Sequence, residues 1–520
     1  MQVLPSVVCL AVGFFVSLAA VPLVIHLAGR LGLAKGRHDL HHTHTVPIPR
    51  FGGLALALAF VFVELIAVFA YPDTHLTKEH LVFVVACLAM FLLGFRDDLK
   101  PLGAKWKLVG QVIIASGVYG LGLGVVAIKI PFTSQIVELY SLGYLFTVLW
   151  LVGMTNLINL IDGVDGVAGG ICLMLMVLLA FVGGQAGGHS LVALGMAGAL
   201  LGFLRFNFPP AKIYLGDGGA YFLGFQVGMM SLLSSNKGTV IVALVAPLFV
   251  LALPILDTAL AITRRGLRGL PIFRADNRHL HHHMLGSGMS RRKVVLTFYG
   301  VTVLFLVMAF VAFVSRGQSV PALLGVGAAV LLVCAGKFDF SREWFAVGRV
   351  VGNSLAMRKE IQYALSHARW LELEGKRATS VDTLWAGLVF AAEKIGFSRV
   401  TLTLGGTERE WARGETNERG PEHLREFPLG MYGTLRVHAP GHGPGEEGLA
   451  RRNGGGGSVS IRDARLFEIL SELFAEAWVK AAKKYAAQRR GSDVFKPVGE
   501  PVEAGGRKAG LPRPEILGRT

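Results

Sequence analysis

The chain has 520 residues, 52% of them hydrophobic and only 17% charged, with a formal net charge of +16. That balance excludes an ordinary soluble domain and describes an integral membrane protein. The positive charge implies no nucleic acid, because basic connections on one side of a membrane and anionic lipid account for it.

A membrane span needs about 20 mostly apolar residues. Windows of that kind start near residues 7, 52, 81, 108, 141, 167, 191, 221, 240, 294 and 322. They predict an all-α polytopic membrane protein of about eleven transmembrane helices. The first, MQVLPSVVCLAVGFFVSLAA, has no basic residues before it and several after it, which marks a span and not a cleaved leader. Alternate connections hold Lys35, Arg37 and Arg50, then Arg96, Lys100, Lys105 and Lys107, then Arg205 and Lys212, then Arg264, Arg265, Arg268, Arg274 and Arg278. By the positive-inside rule these are cytoplasmic, so the N-terminus is expected outside and the C-terminus inside. The four cysteines each lie within an apolar run and read as small packed hydrophobes, with no disulfide framework.

The acids of this apolar region are not at mid-span, where an ion path would need them. Asp97 and Asp98 in GFRDDLK, Asp162 and Asp165 in NLINLIDGVDG, and Asp217 in YLGDGG all fall at span ends on the expected cytoplasmic side. Asp97 and Asp98 alone also suit a polar helix end beside Arg96 and Lys100. Neighbours on a helix point about 100° apart, so the two do not meet one ligand head-on, and one is free to hold the other or a nearby Lys. Asn156, Asn159, Asp162 and Asp165 recur at spacing three, so successive members are neighbours. A capped helix end needs one such residue, not four, and polar groups near lipid are costly unless satisfied. In the connection 263–292, His279, His281, His282 and His283 stand among several Arg. Arg opposes a metal cation there, whereas Arg and His together suit a diphosphate; a basic loop touching lipid head groups is the bland alternative. Acids for a hard cation, amides for positioning, and Arg, His and Lys for phosphates together describe metal-assisted phosphoryl transfer. In this setting it would join a soluble phosphorylated donor to a lipid acceptor.

Residues 1–337 resemble the polyprenyl-phosphate N-acetylhexosamine-1-phosphate transferases and, more distantly, the phospho-N-acetylmuramoyl-pentapeptide transferases. The resemblance rests on PIPRFGG, GFRDDLK, KLVGQ, NLINLIDGVDGVAGG, FNFPPAKIYLGDGG, PILDT and DNRHLHH, in that order. Each is weak alone, and the ordered set is specific. The resemblance implies Mg²⁺, with Mn²⁺ as the alternative, held by Asp217 and secondarily by Asn159. It implies that Asp97 and Asp98 serve metal-dependent catalysis or activate the acceptor phosphate, and that Asp162 and Asp165 bind the donor or act as catalytic acids. Lys107 is implied as a phosphate ligand, and His279, His281 and His282 as the motif meeting the nucleotide diphosphate. Asn156 and Arg264 complete the expected substrate-binding set. The HLHH form favours the sugar-1-phosphate branch. The implied partners are a UDP-N-acetylhexosamine and a polyprenyl phosphate in a bacterial inner membrane, with the site on its cytoplasmic face.

Beyond residue 337 the pattern changes. Residues 338–375 suggest an amphipathic connecting helix that lies along the membrane or pairs with a second copy in a homodimer. Residues 376–489, with a helix near 380–395, strands at RVTLTL and GTLRVHA and a helix over 461–485, suggest a cytoplasmic α+β domain weakly similar to GAF domains. The tail 490–520 is expected to be disordered. Regulation, dimerisation and scaffolding are the roles open to this region. The readings from other classes are a cation transporter, which predicts acids at the membrane midplane, and a non-catalytic lipid-binding protein.

Overall fold

The computed structural model describes residues 3–33, 48–70, 77–125, 127–129, 136–184, 189–235, 247–268, 284–285, 288–315, 319–337, 347–404, 406–413, 423–429, 432–439 and 464–488. The chain folds into two compact units that meet in sequence at Leu355 and Ala356.

The first unit is helical: α1 (Val3–Arg30), α2 (Gly52–Ala70), α3 (Lys78–Leu99), α4 (Ala104–Gly120), α5 (Ser141–Ile161), α6 (Val167–Gly184), α7 (His189–Asn207), α8 (Gly216–Ser235), α9 (Ala252–Arg268), α10 (Arg291–Val314) and α11 (Val320–Lys337). A two-stranded antiparallel hairpin, β1 (Ala127–Lys129) with β2 (Ile136–Glu138), separates α4 from α5. Among the described residues, six helices are long and apolar enough to cross a membrane: α1, α2, α3, α5, α7 and α10. The chain is a multi-pass membrane protein. The stretches expected near 108, 167, 221 and 322 are helices too, whereas the one expected near 240 begins in a segment outside the described residues.

The reason α8 falls short on hydropathy is its place in the bundle. It packs against α2, α3, α5 and α6, and from Gly218 to Leu233 every residue is buried. Protein, not lipid, surrounds it, so it tolerates Gln226 and many glycines. Those glycines set the packing distance: a Cβ on Gly53 or Gly94 would overlap the backbone of the first turn of α8. Close approach here fixes α8 against the first turn of α2 and the last turns of α3.

The second unit comprises the long helix α12 (Val347–Arg377) from Ala356 onward, α13 (Val381–Ile395), strands β3 (Arg399–Leu404), β4 (Thr407–Ala412), β5 (His423–Pro428) and β6 (Thr434–Ala439), and α14 (Ala464–Gln488). The sheet is antiparallel with order β4-β3-β6-β5. Val400, Leu402, Leu435 and Val437 lie on one face and are buried, as are Leu388 of α13 and Phe474 and Trp478 of α14. Ser380 and Thr383 form a capping box at the start of α13, and Gly396 closes it at φ 96°.

Candidate active site

Three helix ends and two turns of the first unit meet at one place. Asp97 and Asp98 close α3, Lys107 opens α4, and Asp217 lies in the first turn of α8. The Lys107 Nζ stands 2.6 Å from Asp97 Oδ2 and 2.7 Å from Asp217 Oδ2, bridging residues that lie far apart in sequence. Asp97 Oδ1 also accepts the Leu102 N–H at 2.5 Å. Asp98 points elsewhere, as adjacent helical residues must. Its Oδ1 accepts the Asp217 N–H (2.9 Å) and its Oδ2 the Gly218 N–H (2.8 Å). These are N–H groups that a helix start leaves without internal partners, and a carboxylate also complements the positive end of the helix dipole. Asp98 thus holds the segment that carries Asp217, while Asp97 faces the cation. Gly216, at φ 76°, supplies the left-handed backbone that turns the chain into α8.

The PIPRFGG motif is joined to this point by backbone. Tyr214 N–H donates to Pro49 C=O, Gly52 N–H to Tyr214 C=O and Gly53 N–H to Leu215 C=O, each at 2.9 Å. The pairing draws Arg50 to the acids, where its charge acts on Asp162.

Asp162 is the C-cap of α5, and with Asp165 it belongs to the turn that leads into α6. Desolvation pushes the Asp162 carboxyl well above the usual carboxylate range, and the charges of Asp217, Asp98 and Asp165 add to the rise, while Arg50 opposes it. Asp165 Oδ2 accepts the Ala211 N–H (3.2 Å) and lies 3.8 Å from Arg291 Nη1. Asn207, 2% exposed, accepts the Gly166 N–H on Oδ1 (3.0 Å) and donates from Nδ2 to Ile213 C=O (2.8 Å). It ties the acid turn to the loop 208–215.

The other expected residues are distributed differently. Asn159 lies half-buried on α5, one turn before Asp162. Asn156 donates to Gln111 Oε1 (2.6 Å) and Val152 C=O (2.8 Å), so its amide serves the contact between α4 and α5. His279, His281, His282, His283 and the Arg264 side chain lie outside the described residues. Arg50, Gln111, Asn207, Tyr214 and Arg291 are not among the site residues expected from sequence, although the first four stand inside the motifs PIPRFGG, KLVGQ and FNFPPAKIYLGDGG and Arg291 lies near the end of the basic connection.

Among the described residues no group of three or more His, Cys, Asp or Glu forms a ready metal nest. The donor chemistry nonetheless fits Mg²⁺, which takes one or two protein carboxylates and completes its octahedron with water and phosphate oxygens. Asp97 and Asp217 already aim hard oxygens at one cationic point, the Lys107 ammonium.

Residues 80–235 match the glycosyl transferase family 4 model. The chain is 34% identical over 307 residues to a probable undecaprenyl-phosphate N-acetylglucosaminyl 1-phosphate transferase of Bacillus subtilis, covering 58% of this chain and 84% of the relative. The chain belongs to glycosyl transferase family 4. It is therefore an enzyme of the phosphotransferase family that its motifs resemble. Further relatives are a decaprenyl-phosphate N-acetylglucosaminephosphotransferase of Mycobacterium tuberculosis (32% identity; 52% of this chain, 74% of the relative) and a phospho-N-acetylmuramoyl-pentapeptide-transferase of Shouchella clausii (32%; 50% and 82%). Within the family, Asp217 and the acid turn both lie in the matched segment, and Arg50 and Arg291 lie outside it.

Proposed function

We propose that this family member transfers N-acetylhexosamine 1-phosphate from a UDP-sugar to polyprenyl phosphate, releasing UMP and forming a polyprenyl-diphosphate sugar. The observation that carries the reading is the convergence of Asp97 and Asp217 on Lys107, with Asp98, Asp162 and Arg50 within electrostatic reach. An oxygen of the lipid phosphate attacks the β-phosphorus of the donor, and the bond to the bridging oxygen breaks, leaving its electron pair on UMP. Both reactants are anions, so the work lies in neutralising charge and holding them in line. A phosphate monoester has its second pKa near ~6, so the acceptor is largely ionised at neutral pH and needs little general-base help. Asp217 and Asp97, with Asn159 as a further ligand in this reading, are the residues to hold Mg²⁺. Bound there, Mg²⁺ would supply Lewis-acid neutralisation of the diphosphate. Lys107 is placed to pass from carboxylate to phosphate oxygen, Asp98 keeps Asp217 in register, and Asp162 and Asp165 shape the donor end with Arg50 and Arg291. His279, His281, His282 and Arg264 complete the nucleotide side in this reading.

The acids lie at helix ends because the lipid arrives within the bilayer and the nucleotide from the cytosol. We place this meeting plane at the cytoplasmic face of a bacterial inner membrane, in a bundle of about eleven spans. The second unit, GAF-like in this reading, would regulate the enzyme or pair two copies of it.

The test is UMP release by the detergent-purified protein from UDP-N-acetylglucosamine, with and without undecaprenyl phosphate and Mg²⁺. Release that requires both and disappears in Asp217→Asn is the expected result. Release from the muramoyl-pentapeptide donor instead would move the enzyme to the peptidoglycan branch, and no release from any UDP-sugar donor would overturn the reading.

A further inference from the structure

The acid turn of residues 162–166 is gripped by α10, a helix that contributes none of the acids. The Tyr299 O–H donates to Gly166 C=O at 2.7 Å. That carbonyl also accepts the Gly170 N–H at 3.0 Å, so both of its lone pairs are used. On the other side of the same residue, the Gly166 N–H is held by Asn207. Both polar groups of Gly166 are therefore anchored, and Gly166 sits at φ 80°, directly after Asp165.

The sequence makes room for this contact. A Cβ on Gly170, the last residue of NLINLIDGVDGVAGG, would overlap the Tyr299 ring. Two turns earlier on α10, and so on a similar face, the Arg292 Nε donates to Pro209 C=O at 2.9 Å, and the neighbouring Arg291 approaches Asp165. One helix thus touches both chain segments that frame the site, at Asp165 and Gly166 and at Pro209.

We infer that Tyr299 is a positioning residue: its hydroxyl, through Gly166, sets where Asp162 and Asp165 stand relative to Asp217. The inference deepens the transfer reading above and rests on it for its kinetic part. A packing-only role for the ring makes a different prediction, because Tyr299→Phe keeps the ring against Gly170 and removes only the hydrogen bond, whereas Tyr299→Leu removes the ring as well.

The experiment joins steady-state kinetics to hydrogen–deuterium exchange on the full chain in detergent. For Tyr299→Phe the expected results are a kcat about tenfold lower, a KM for polyprenyl phosphate changed less than about twofold, and faster exchange confined to peptides covering 162–170. Unchanged kcat and unchanged exchange in Tyr299→Phe, with impairment only in Tyr299→Leu, would assign Tyr299 to packing and overturn the inference. Faster exchange along the whole of α6 and α10 would overturn it too, since that is general loosening. The exchange measurement needs no turnover, so it tests the clamp on the turn even if the transfer reading itself fails.

Discussion

Two polar clusters interrupt the apolar helices of the first unit, at opposite ends of the same elements. On α2, Gly53 packs against α8 beside the acids, and Glu64 lies eleven residues further on, about 16 Å along the helix. On α3, His80 opens the helix and Asp97 ends it, about 25 Å away. At the far end Glu64, 7% exposed, meets His80, 2% exposed, at 2.7 Å, and His189 stacks on His80. That cluster is a buried acid–imidazole contact joining two helices that follow each other in the chain. At the near end, carboxylates from α3, α8 and the turn after α5 gather around cations from α4 and the PIPRFGG segment. The far pair is buried, whereas Asp97 is the one buried acid of the near group and Asp98, Asp162, Asp165 and Asp217 are half-buried. What separates them is also an excess among the described residues: one cluster pairs its acid within the helix bundle, and the other gathers Asp97, Asp98, Asp162, Asp165 and Asp217 near Lys107, Arg50 and Arg291.

The largest expected effect tests that excess directly. Asp217→Asn removes a carboxylate that faces the shared cation while leaving the backbone held by Asp98, and it should lower UMP release about a thousandfold or more at unchanged expression. A loss of less than tenfold would mean that Asp217 is only a partner for Lys107. Next in size, Lys107→Met leaves Asp97 and Asp217 facing each other without their bridging ammonium. Turnover should fall about a hundredfold, and Lys107→Arg should recover only part of it, because a planar guanidinium does not replace a point charge between two carboxylates. Full recovery with Arg would show that charge alone matters there.

At the other end the order of effects reverses. Glu64→Gln should leave turnover within about twofold of wild type while costing about 1–2 kcal/mol of stability, measured by thermal unfolding in detergent. Loss of turnover without loss of stability would break the comparison and make the far cluster functional.

Much of this was legible because the local pattern and the final structure agree. The predicted starts at 52, 141 and 167 coincide with α2, α5 and α6, and the acids do lie at helix ends. Other features are set by partners distant in sequence. Nothing near Lys107 announces Asp217, and nothing in PIPRFGG announces its backbone pairing with residues 214–215. Asn156 is expected to bind substrate, and nothing in its own segment announces that its Nδ2 donates to Gln111 on α4. In the second unit TEREWA and HLREFP look like polar connections and are strands β4 and β5. Their charged inward residues are satisfied by helices, Arg409 by Asp382 at 2.7 Å and Arg425 by Glu472 at 3.0 Å. Alternation of apolar residues could not reveal short strands in which Arg409 and Arg425 share the inner face with Trp411 and Phe427.

The smallest expected effect concerns Asp162, where the excess of acids should appear as a cost to stability. A carboxyl whose pKa is raised on folding binds more protons in the folded state than in the unfolded chain, where the value is about 4. Stability contributed by this group is therefore highest at low pH and is lost as pH rises through the interval above ~4, toward the raised folded value. Asparagine resembles the neutral acid and has no such ionisation. Asp162→Asn should then raise the thermal midpoint of the substrate-free protein by a few degrees at about pH 8, and by less at about pH 5.5. Equal midpoints at both values, or destabilisation at pH 8, would show that Arg50 and its neighbours fully offset the Asp162 charge. The comparison between the two clusters would then rest on geometry alone. If the stabilised variant has also lost turnover, the strain of gathering carboxylates is tied to the site that uses them.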